Sequence, residues 1–82
     1  MIFLIEYHRG EGRIVTFKVF EDSERSKAEK SRLEIELDLN RREVDHEVVL
    51  LEAASESALR RTHRRYFEDL SQIVKSASGG DK

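Results

Sequence analysis

The segment Ile2-Phe-Leu-Ile-Glu-Tyr-His8 constrains this chain most, because it is apolar on both alternating parities. Successive side chains of a strand point to opposite faces, so such a run needs cover above and below. It belongs in the middle of a sheet. Arg9-Gly-Glu-Gly-Arg13 follows, and two glycines in so short a connection mark a hairpin. The returning strand is 13–20. Alternation places Val15, Phe17 and Val19 on one of its faces and Ile14, Thr16, Lys18 and Phe20 on the other.

Asp22 or Ser23 is a suitable cap for the next element, with Glu21 and Glu24 near its positive end. From Ser23 to Asn40 the residues are good helix formers without Gly or Pro, and a helix is predicted over 23–39. Leu33-Glu-Ile-Glu-Leu-Asp-Leu39 alternates like a strand, but no turn separates it from the helical first half. As a helix, it has one stripe of Ala28, Ile35 and Leu39. Leu33 and Leu37 then form a second apolar seam away from that stripe.

A loop at 40–45 leads to a buried strand over 46–53, with four apolar residues in its centre. Ser55 caps a last helix predicted over 56–75, with Leu59, His63, Tyr66, Phe67, Leu70, Ile73 and Val74 on one stripe. Residues 1–75 make one domain and 76–82, with Gly79-Gly80, a flexible tail. The order is β-β-α-β-α. Because a strand–helix–strand crossover makes its two strands parallel, strand 1 sits between them in the order 2-1-3. The predicted fold is a two-layer α+β sandwich, a three-stranded sheet with both helices on one face.

The segment Val48-Val-Leu-Leu-Glu-Ala-Ala-Ser-Glu-Ser-Ala-Leu-Arg-Arg61 is a strand, a serine cap and a helix start. It resembles the small bacterial proteins of ferredoxin-like α+β type. The resemblance implies pairing through sheets and carries over no catalytic residue. This chain has three predicted strands, where a full ferredoxin-like unit has four.

Composition narrows function by exclusion. The chain has 82 residues, no Cys, and 15 Lys+Arg against 17 Asp+Glu, for a net charge of −2. There is no disulfide framework and no thiolate nucleophile. An overall basic charge that would capture nucleic acid is absent too. The apolar run Ile2–Ile5 falls short of the roughly 7–15 residues of a signal peptide and the about 20 of a spanning helix, so a cytoplasmic protein is expected. Gly10-Glu-Gly12 is too short for a phosphate loop, and no nucleophile-elbow motif occurs. No catalytic residue and no cofactor is assigned.

His8 and His46 lie at strand ends that meet if strands 1 and 3 are antiparallel, with Glu6, Asp45 and Glu47 in reach. Their spacing matches no metal-ligand signature, so no metal is assigned. His63 lies on the buried stripe and reads as a core histidine. Arg60, Arg61, Arg64 and Arg65 line one helical side and are the candidate for phosphate contacts. Glu56–Arg60, Arg64–Glu68 and Arg65–Asp69, each four apart, instead suggest a solvated, ion-paired face. The remaining feature is an apolar sheet face of Ile2, Leu4, Ile14 and Phe20, left open if both helices lie on the other side. The expectation is a non-enzymatic protein-interaction or self-association module, a homodimer or a partner's dock, using that face. The Leu33/Leu37 seam is the alternative contact surface, and nucleic-acid binding through the arginines is the competing function.

Overall fold

The computed structural model describes residues 1–68. Three strands, β1 (Ile2–His8), β2 (Arg13–Phe20) and β3 (Glu47–Glu52), form one antiparallel sheet in the order β2-β1-β3. Two helices complete the α+β fold among the described residues, α1 (Arg25–Arg41) and α2 (Glu56–Thr62). β1 is central as its composition requires, with Ile2, Phe3, Leu4 and Ile5 all at 0% exposure.

The hairpin turn closes with the Gly12 amide donating to the His8 carbonyl at 2.8 Å. Gly12 sits at φ 64°, a left-handed conformation that glycine adopts without steric cost. Helix α1 spans the alternating stretch 33–39 unbroken, with Ala28 and Leu39 buried and Ile35 half-buried on its inner stripe. It ends in a Schellman turn: the Glu43 amide donates to the Asn40 carbonyl at 3.1 Å and the Val44 amide to the Leu39 carbonyl at 2.9 Å. Glu43 holds the left-handed position of that turn at φ 56°.

The two helices are divided between the two faces of the sheet, not gathered on one. Glu52 lies opposite Ile2 in register and is ion-paired to Arg25 of α1, so α1 covers the face of Ile2, Leu4 and Glu6. On the other face Phe3, Ile5 and Tyr7 pack with Leu59 of α2 and with Tyr66, which lies in a 3-10 turn (Arg64–Tyr66) just beyond it. The expected open face of Ile2, Leu4, Ile14 and Phe20 therefore does not exist. Ile2 and Leu4 lie under α1, and Phe20 is half-buried opposite Ile2.

Ile14 belongs to the opposite face altogether. The pairing shifts by one residue after Glu6, from Glu6↔Thr16 to Tyr7↔Ile14, so Val15 is an extra residue in β2. A bulge of this kind reverses the facing of every residue beyond it. Ile14 consequently packs against the Phe3–Ile5–Tyr7 cluster, while Val15 is 42% exposed.

The last helix is shorter than predicted. Regular α-helix stops at Thr62, and His63 leaves it at φ −126°, ψ 51°. Tyr66 is buried and Phe67 packs on the same core, but His63 stays outside that cluster with its Nδ1 2.9 Å from the Thr62 hydroxyl, and is not the core histidine expected. Leu70, Ile73, Val74 and the tail 76–82 lie outside them.

Candidate functional site

Successive residues of a helix turn by about 100° about its axis, so Leu33 and Leu37 fall on the side of α1 away from Ala28, Ile35 and Leu39. They are 53% and 58% exposed, the most open of the large apolar side chains among the described residues. Charges of both signs surround them, with Lys30 one turn before Leu33. Between Leu33 and Asn40 the chain carries Glu34, Glu36 and Asp38 and no base. Asp38 is held by the guanidiniums of Arg41 and Arg42 at 3.0 and 2.9 Å, with the Arg41 hydrogen bond the chief cause of its lowered pKa. Glu36 has only Arg32 nearby, at 4.0 Å, while Glu29 and Glu34 form no ion pair among the described residues. The outer side of α1 is thus a short leucine seam with Glu29, Glu34 and Glu36 around it and with Lys30 and Arg41 on the flank of Glu34.

His8 and His46 do meet, with ring centroids 4.7 Å apart. Nδ1 of His46 lies 2.6 Å from Oε2 of Glu6, and the Thr16 hydroxyl donates to Oε1 of the same carboxylate at 2.8 Å. Both oxygens of buried Glu6 are therefore engaged. Nδ1 of His8 accepts the Glu11 amide at 3.0 Å, an arrangement that closes the hairpin turn. Asp45 and Glu47 do not join the imidazoles. They turn to Arg9, at 3.4 and 3.5 Å. Among the described residues no group of three or more His, Asp or Glu side chains is arranged to hold a metal ion. The cluster fastens the end of the sheet.

The four arginines part company. Arg60 binds Glu56 at 2.7 Å and Arg64 binds Glu68 at 3.3 Å, two of the three four-apart pairs expected from the sequence, and Asp69 of the third lies outside the described residues. Arg61 reaches only the Ser57 hydroxyl, at 3.5 Å. Glu56, Ser57, Arg60, Arg61 and Arg64 line a wide, open depression of about 730 Å³. Arg65 is not on that solvated side. Its guanidinium lies over the Tyr66 ring at 4.1 Å and binds Glu47 at 2.9 Å.

Sequence reasoning did not find this last cluster. The Tyr66 hydroxyl donates to Glu47, and the Tyr7 hydroxyl donates to the Arg65 carbonyl at 3.2 Å. The Tyr7 and Tyr66 rings meet edge to face at 5.1 Å. Burial, reinforced by the Glu47 carboxylate, pushes the Tyr66 phenol up to about 12. The hydrogen bond from that phenol holds Glu47 below the usual carboxylate range, with Arg65 adding to the effect. No spacing in the chain signals the cluster, because its partners are brought together by the sheet register. It ties the α2 end of the chain to β1 and β3.

No helix among the described residues is long and apolar enough to cross a membrane. Comparison with family models, curated proteins and solved structures finds no match to this chain.

Proposed function

We propose that this chain is a non-enzymatic protein-interaction module whose docking surface is the outer seam of α1. The exposure of Leu33 and Leu37 carries the reading. Two leucines one turn apart are a common anchor pair for helix-in-groove or helix-on-helix recognition. Full burial of a leucine gives about 1.5–3 kcal/mol, and at 53% and 58% exposure each of these leaves about half of that gain unused. The inner stripe of α1 already serves the core, so a mutation in the outer seam does not disturb the fold. The histidine cluster supports this reading indirectly, since both oxygens of Glu6 are committed to holding the sheet end together. The arginine side favours it as well. Arg60, Arg64 and Arg65 each have a carboxylate partner, which opposes phosphate binding.

Selection of helical peptides on the immobilised protein tests the proposal, with counter-selection against a Leu33→Gln, Leu37→Gln variant. The expected result is a set of peptides that bind the parent and lose the variant, which keeps its thermal midpoint. Peptides that bind both equally, at the α2 side or the sheet edge, would contradict it.

A further inference from the structure

We infer that His8 is an acid-sensitive latch on the hairpin turn 9–12, holding the turn closed only while its Nδ1 carries no hydrogen. The donor and acceptor pattern of two neighbouring imidazoles carries this. The Glu11 amide donates to Nδ1 of His8 at 3.0 Å, so that nitrogen must offer its lone pair. Nδ1 of His46 faces the Glu6 carboxylate at 2.6 Å, which accepts, so there the hydrogen is on the ring. The ring centroids are 4.7 Å apart, yet the two Nδ1 atoms are in opposite states. The His8 ring also lies against the turn it closes. A Cβ at Gly10 would stand 3.1 Å from its Cε1, so a glycine there keeps the close approach open.

A proton gained by His8 makes both of its ring nitrogens donors. Nδ1–H then meets the Glu11 N–H donor to donor, and the bond that closes the turn is lost. Among the described residues each carboxylate beside the ring already has a partner. Glu6 of β1 is bound to His46 and Thr16, and Glu11 of the turn to Arg13. Asp45 and Glu47, before and at the start of β3, turn to Arg9. The hydrogen bond from Arg13 is the chief cause that holds the Glu11 carboxyl below its usual range, so it stays charged and paired where histidines titrate. The bases facing His8 are Arg9 beside it, Arg13 opposite it in register and His46. The ion pairs of α1 among the described residues run to Glu24, Glu52 and its own end, and none reaches either imidazole. With no acceptor waiting for the new hydrogen, the ring leaves the Glu11 amide and the turn opens.

NMR of the full chain from about pH 8 to about pH 5, the span in which histidines change charge, tests the latch. The Glu11 amide is expected to lose about threefold to tenfold of its protection from solvent exchange, in step with the His8 ring signals. The Gly12 amide, bonded to the His8 carbonyl at 2.8 Å, involves no ring atom and is expected to stay protected. In a His8→Asn variant the side-chain oxygen accepts in the place of Nδ1 and does not titrate, so the Glu11 amide is expected to keep its protection throughout. A Glu11 amide that holds its protection while the His8 ring changes charge would overturn the latch. So would a loss that follows the His46 ring instead, or one that persists unchanged in His8→Asn.

Discussion

Glu6 and His46 are joined across the sheet, Oε2 to Nδ1 at 2.6 Å, with only 8% and 13% of their side chains exposed. The bond links the middle of β1 to the residue just before β3, on the face covered by α1. Glu6 is the single buried carboxylate on the central strand, and Thr16 on β2 satisfies its other oxygen. One side chain thus fastens all three strands at the same level.

Removing it leaves two partners unsatisfied. Glu6→Ala is expected to cost about 1.5–3 kcal/mol, the range for buried hydrogen bonds to a charged group. Replacing Glu6 and His46 together with leucine is expected to cost less than the sum of the single replacements, because neither group is then left alone. Urea denaturation of the two single variants and the double variant measures both quantities.

The bulge at Val15 makes an opposite pair of predictions for neighbouring residues. Ile14→Lys removes an apolar side chain from the Phe3–Ile5–Tyr7 cluster and is expected to cost about 1.5–3 kcal/mol. Val15→Lys lies on the exposed side of β2 and is expected to stay within about 0.5 kcal/mol of the parent. Strict alternation along β2 predicts the reverse order, so thermal midpoints of the two variants decide the register.

That bulge also marks how far the sequence can be read. The strand order was legible because β1 is apolar on both parities, and α1 was legible because its residue types outweigh the alternation from Leu33 to Leu39. The facing of Ile14 was not, since a one-residue shift leaves no trace in a pattern of period two. The side taken by α2 was not legible either. A crossover rule governs α1, which connects two strands of the sheet, but α2 follows the last strand and nothing fixes its face. Three residues, Ala53 to Ser55, carry the chain over to the Phe3 side. Once α2 left the Ile2 face to α1 alone, the expected open sheet surface closed, and of the two expected contact surfaces the Leu33/Leu37 seam stayed exposed. The end of α2 at Thr62 escaped detection as well, because no Gly or Pro marks it.

Glu43 offers a stabilising change. It occupies the left-handed position of the Schellman turn, where a side chain costs roughly 1–2 kcal/mol relative to glycine. Glycine's greater freedom in the unfolded chain offsets part of that gain. Glu43→Gly is therefore expected to stabilise the protein by about 0.5–1 kcal/mol, read as a higher urea midpoint.

The Tyr66–Glu47 contact sets pH limits at both ends. Tyr66 is raised to about 12 in the folded chain from an ordinary value of 10.0, so its contribution is complete below pH 10 and is lost as pH rises towards 12. Glu47 is lowered, so its contribution is present above the ordinary carboxylate range and is lost as pH falls through its folded value. Tyr66→Phe is expected to remove the alkaline loss and to weaken the acid one, because Arg65 still holds Glu47. Denaturant midpoints measured from pH 3 to pH 12 in both proteins test the two signs separately.

Methyl-resolved NMR during titration with a helical peptide selected on the protein shows which surface of the chain it occupies. The methyl signals of Leu33 and Leu37 are expected to shift in proportion to bound peptide while those of Ile2, Leu4 and Leu39, on the inner side of α1, stay in place. Shifts centred instead on Val15 and Val19 of β2, or on Leu59 under the arginine side of α2, with Leu33 and Leu37 unmoved, would contradict it.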